Sequence, residues 1–174
     1  MSTAIARQAA RKLFKDAALC LPVDLEELLE WRGISLLCAH GWPKELCARY
    51  YPAERAISVN AEHARVRQRF SIAHELGHFV LGHEQMDIDH SIADIFGDEE
   101  ESYSVAGDIE QDANAFAAEL LMPGDWVRQR ASGCSAHELI RIIRRGCDVS
   151  EPAAWYRMME LKVAGFARPP RRRR

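Results

Sequence analysis

Arg69-Phe70-Ser71-Ile72-Ala73-His74-Glu75-Leu76-Gly77-His78-Phe79-Val80-Leu81 is the stretch on which the fold and the chemistry of this chain turn. Its apolar residues follow one another without the period-two alternation of a half-buried strand. They predict a helix that is buried nearly all round. Within it His74 and His78 stand four residues apart. Residues i and i+4 on a helix differ by about 40° in direction, so both imidazoles can reach one point. Glu75 is turned by about 100° from His74, near enough to hold a water beside that point. Two histidines and a glutamate side by side in an apolar helix are costly unless something satisfies them. Zinc does so in an H-E-x-x-H pattern: the neutral imidazoles are its ligands, and the glutamate is a general base toward the activated water. The bland alternative is a pair of hydrogen-bonded core histidines with no metal.

A catalytic zinc takes three protein ligands plus water. The continuation H-E-x-x-H-x-x-G-x-x-H is absent, because Leu81 stands in the glycine position and Glu84 in the last histidine position. The third ligand is therefore expected downstream, in a second apolar helix over 108–121. With about 100° per residue counted from Glu110, Ile109, Ala113, Phe116, Ala117, Leu120 and Leu121 share one arc, and Glu110 lies inside it. A lone carboxylate on a core-facing stripe calls for a cation, which makes Glu110 the expected third ligand. Asn114, one turn on, is expected to accept the free N–H of a ligand histidine. Asp112, at the edge of the arc or outside it, is the alternative ligand. Glu119, on the far side, is expected to be a solvated surface charge.

Three blocks carry a resemblance to a known family: Ile57-Ser58-Val59-Asn60, the stretch Arg69 to His78, and Glu110-Gln111-Asp112-Ala113-Asn114-Ala115-Phe116-Ala117-Ala118-Glu119-Leu120-Leu121-Met122-Pro123. Together they resemble the ImmA/IrrE family of zinc metallo-endopeptidases, over roughly residues 22–160. The resemblance implies a gluzincin-like site with His74, His78 and Glu110 on Zn2+ and Glu75 as the catalytic residue. It further implies a bacterial, phage or mobile-element protein whose substrate is a protein partner, often a helix-turn-helix transcriptional repressor encoded nearby. The family often has Glu where this chain has Asp112, which bears on the ligand assignment only if the second acid is the ligand. His83 recurs in the resembling motif. It is read as structural, with a role near the substrate as the alternative. Tyr103 and Arg69 are candidates to stabilise an oxyanion, although spacing selects neither. The strand Ala56–Asn60 is a candidate edge for strand addition by a peptide. Asn60 is expected to cap the helix that follows.

The bulk numbers set the frame. A chain of 174 residues, 48% hydrophobic and 28% charged, suits a globular domain and excludes disordered and fibrous classes. We expect one metallopeptidase domain over 1–167, with its core in 22–160, and a disordered basic tail over 168–174. No apolar run approaches the roughly 18 residues of a membrane span. Charges interrupt the first residues before a secretory core could form, so a cytoplasmic protein is expected. The five cysteines, Cys20, Cys38, Cys47, Cys134 and Cys147, are odd in number and widely spaced, which fits reduced thiols. A second metal site from Cys38, His40 and Cys47 is the less favoured alternative. The net charge is −3 although five arginines lie in the last seven residues, so the rest of the chain is acidic. A basic body that would dominate nucleic-acid affinity is absent.

Periodicity predicts helices over 3–19, from Asp24 to Gly33, and over 62–83, 108–121, 135–145 and 150–162. Ser135 with Glu138 has the pattern of a capping box, and Ser150 precedes a proline tolerated in the first turn. Strands are expected at Ile34–Cys38, Cys47–Tyr51 and Ala56–Asn60. The fold class is α+β: a zincin-like helical core, a small and largely antiparallel sheet, and C-terminal helices resembling a helix-turn-helix. Trp126 and Trp155 are expected in the core or at an interface. Two other functions compete with proteolysis. One is a metal-containing module that regulates a repressor or a toxin–antitoxin-like pair by binding alone. The other is DNA binding through 135–162 and Arg168–Arg174, against which packing of those helices on the catalytic core is favoured.

Overall fold

A computed structural model describes residues 2–83 and 105–163. Glu84, Tyr103 and the tail Arg168–Arg174 lie outside the described residues. The chain is α+β. Seven helices are described: α1 (Thr3–Asp16), α2 (Leu25–Trp31), α3 (Arg65–Leu81), α4 (Val105–Leu121), α5 (Gly124–Ala131), α6 (Ala136–Cys147) and α7 (Glu151–Glu160). Between α2 and α3 run β1 (Ser35–Ala39), β2 (Ala48–Tyr51) and β3 (Ala56–Asn60). None of these helices is long and apolar enough to cross a membrane.

The helix boundaries follow local chemistry. Asp24 caps α2 by accepting from the Glu27 N–H at 3.0 Å. Ser135 and Glu138 form the reciprocal capping box of α6, and Ser150 caps α7 ahead of Pro152. The helix α5 is not apparent in the sequence pattern. Pro123 ends the segment with α4 and, with its restricted φ, starts the next helix at Gly124.

The sheet is small, as expected, but mixed, with strand order β1-β3-β2. β2 pairs antiparallel with β3 and β1 pairs parallel with it. The central strand is therefore β3, buried along its whole length. Both its edges are occupied, so it cannot accept a peptide as an added strand, contrary to the sequence-based expectation. The edges are β1 and β2. Contrary to the expectation from sequence, Asn60 does not cap α3, whose N-cap position is Ala64. Its side chain donates to the carbonyls of Pro43 (3.0 Å) and Leu46 (2.8 Å) and accepts from the Glu62 N–H (3.0 Å), so it holds the β1–β2 connection. The helix start is held by Gln68 instead, whose amide donates to the carbonyls of Asn60, Ala61 and His63.

The core lies where α3 meets α4, with α1 packed along α4 and the sheet against α3. The approach of α3 and α4 is close. A Cβ on Gly77 would stand 3.1 Å from Phe116 Cδ1 and 3.3 Å from the Cα and carbonyl oxygen of Ala113. A glycine on α3 facing an alanine on α4 lets the two backbones come near, which brings their polar side chains within reach. On α1 the buried face is Ala6, Ala10 and Leu13, whereas Ile5 is exposed.

The C-terminal helices form a cover on this core. Leu139, Ile143 and Cys147 of α6 are buried, as are Ala153, Ala154 and Met158 of α7. Arg69, a candidate for oxyanion stabilisation, turns toward this cover. Its guanidinium donates to the carbonyls of Asp148 (3.2 Å) and Cys147 (3.5 Å) and pairs with the Asp148 carboxylate at 3.4 Å. Glu119, expected in solvent, is only 3% exposed. Arg157 of α7, itself fully buried, pairs with it, and the Gly124 N–H donates to it at 3.2 Å. A helical wheel shows only the face of one helix. It could not show that a later helix would bring an arginine to this far side.

Candidate metal centre

Helix α3 carries His74 and His78 on one face into the core, and α4 crosses against that face with Glu110. His74 Nε2 lies 3.0 Å from His78 Nε2 and 3.1 Å from Glu110 Oε2. His78 Nε2 is 3.4 Å from Glu110 Oε1. All three donor atoms fall within 4.8 Å of one another. The side chain of His74 is fully buried and that of Glu110 is 12% exposed.

The donor set fits a divalent cation. A tetrahedral zinc with bonds of about 2.0–2.1 Å separates its ligand atoms by about 3.3 Å, close to the spacings of these three atoms. Burial pushes the His78 pKa below its usual value, partly opposed by the bond to Glu110, so the neutral, ligand-competent imidazole is favoured. His74 Nδ1 lies 2.9 Å from Asn114 Oδ1. An amide oxygen only accepts, so this nitrogen carries the proton and the lone pair of Nε2 points at the other two donors. Among the described residues this is the one His/Cys/Asp/Glu group able to hold an ion. Cys38, His40 and Cys47 do not form a second, and His40 instead pairs with Glu62 at 3.3 Å.

Of the remaining candidates, Glu75 is 2% exposed, one residue on from His74. Asp112 is buried on α4 but does not belong to the three-donor group. Spacing alone selects no partner for His83, yet its Nδ1 lies 3.0 Å from His78 Nδ1. The signal is Gly82. It adopts the left-handed conformation (φ 68°), and its N–H donates to the Phe79 carbonyl at 3.3 Å while that of His83 donates to the His78 carbonyl at 3.0 Å. These two bonds make a Schellman turn, which brings the side chain two residues past the helix end back over its last turn.

Comparison with known proteins identifies the family. A family model described as the IrrE N-terminal-like domain matches residues 41–135. The radiation response metalloprotease IrrE of Deinococcus deserti is 33% identical over 113 residues, covering 64% of this chain and 38% of that protein. The solved structure of a Mycobacterium tuberculosis transcriptional regulator is similar with a TM-score of 0.63 at 21% identity, covering 88% of this chain and 46% of that one. The second likeness is one of fold. The chain thus spans less than half the length of either relative.

Proposed function

Because the chain belongs to the IrrE N-terminal-like peptidase family, we propose that it is a zinc-dependent endopeptidase that cleaves a protein partner, with a helix-turn-helix transcriptional repressor as the expected substrate. The observation that carries this reading is the convergence of His74, His78 and Glu110 from two helices, with buried Glu75 next to the first of them. In this reading His74, His78 and Glu110 hold the metal, and Asn114 orients His74. Bound there, a zinc ion would supply Lewis acidity toward a peptide carbonyl and toward water. Glu75 takes the proton from the attacking water and passes it to the nitrogen of the leaving amine. Asp112, buried on the same helix as Glu110, does not join the ligand group, so Glu110 is the preferred acid of the two.

The choice of a repressor rests on the resemblance in the sequence, and the choice of proteolysis on the family. The test is Glu75→Gln in the full chain. Zinc content should stay stoichiometric, and new N-termini generated in a lysate of the producing cells should disappear relative to wild type. Cleavage by the glutamine variant would overturn the assigned mechanism. Capture of the same partner by both proteins, with no fragments from either, would favour the non-proteolytic module.

A further inference from the structure

We infer that His83 is the positioning residue for His78, accepting the proton of His78 Nδ1 and so fixing the tautomer that leaves His78 Nε2 free to bind the metal. The inference rests on the metal-site reading above and extends it to a residue with no ligand role of its own. The two Nδ1 atoms are 3.0 Å apart, and the rings meet edge to face with centroids 5.0 Å apart. One hydrogen bond between two imidazole nitrogens holds one proton, so one ring donates and the other accepts. If His83 donated, His78 in its neutral form would carry its proton on Nε2, at the atom that faces His74 and Glu110. Metal ligation through that atom requires the reverse assignment.

The contact is built by the backbone. Gly82 at φ 68° and the His83 N–H bond to the His78 carbonyl place the two side chains over one another. In most such turns this pair is a hydrophobic contact. Here it is imidazole on imidazole, a choice that packing alone does not require. Each ligand histidine then has its own outer partner: Asn114 from α4 for His74, and His83 from the end of α3 for His78.

The test compares His83→Phe, which keeps the ring and removes the acceptor, with His83→Asn, which returns an acceptor oxygen near the place of Nδ1. Zinc affinity of the full chain is measured by competition with a chromophoric chelator. Phe should weaken zinc binding about 10–100-fold, and Asn should stay within about threefold of wild type. Phe binding as tightly as wild type, or Asn losing as much as Phe, overturns the inference. A second measurement needs no variant. Long-range proton–nitrogen NMR of the zinc-loaded wild type should show His78 protonated on Nδ1 and His83 on Nε2, and a proton on His83 Nδ1 overturns the inference. Failure of the wild type to bind zinc would instead refute the metal site itself.

Discussion

Glu119→Gln removes one negative charge from the interior while keeping nearly the same shape, and the structure allows the cost to be worked out. Its partner Arg157 is fully buried, so the guanidinium cannot turn to water when the carboxylate is lost. Breaking a buried pair by removing one member costs about 3–5 kcal/mol, because a charge is left without its counter-ion. Two contacts soften the loss: Arg157 Nη1 still donates to Glu160 at 2.7 Å and Nε to the Met122 carbonyl at 2.9 Å. The glutamine oxygen can also still accept. The lower end, about 3 kcal/mol, is therefore expected. For a chain of this size that corresponds to a fall in Tm of about 6–12 °C. The assay is urea unfolding followed by circular dichroism, with thermal melts alongside. The double variant Glu119→Leu with Arg157→Met should recover most of the loss, because no charge remains buried. A cost below about 1 kcal/mol for Glu119→Gln would mean that water reaches the guanidinium, and the reasoning from burial would fail.

Acid titration gives a second reading of the same pair. Burial alone would raise the Glu119 pKa, but Arg157 and the Gly124 N–H outweigh it and hold the value below the usual 4.5. A depressed carboxylate contributes stability that is present above its unfolded pKa and lost as pH falls through the folded value. Wild-type stability should thus decline below about pH 4.5 partly through this group, and Glu119→Gln should flatten that part of the profile. Glu110→Ala should reduce zinc affinity at least about 100-fold, and Asp112→Ala should reduce it less, both measured by chelator competition. The reverse order would transfer the ligand role to Asp112. Asn114→Ala should weaken zinc binding about tenfold with little change in secondary structure by circular dichroism. Gly82→Ala, forced to φ 68°, should cost about 1 kcal/mol in urea unfolding and loosen zinc binding with it.

Most of the site is legible in the sequence because its logic is local to helices. The four-residue spacing of His74 and His78, the apolar flanks and the place of Glu110 within an apolar arc are all features of helical periodicity. The convergence of the three donor atoms follows from helix pitch once the two helices touch. The same reasoning fails where the decisive partner comes from another element. Glu119 on its own helical wheel faces outward, and Arg11 of α1 and Arg157, 38 positions later, come from other elements to that face. Asn60 sits where a cap is expected, but its amide oxygen accepts from the Glu62 N–H, ahead of the helix start at Arg65, and its NH2 group donates to the loop carbonyls of Pro43 and Leu46. Strand β3 reads as a short apolar run that could be edge or centre, since periodicity carries no information on strand neighbours.

Sequence by itself determined the fold class, the order of the elements other than α5, and which three side chains, His74, His78 and Glu110, come together, because helix pitch, capping chemistry and apolar patterning act over a few residues. Tertiary structure alone decided the sheet order, the burial of the Glu119–Arg157 pair and the docking of α4 against α3 at Gly77. Those depend on which distant surfaces meet. Contact between elements far apart in the chain is chosen by the summed burial of the whole core, a quantity that no local window contains.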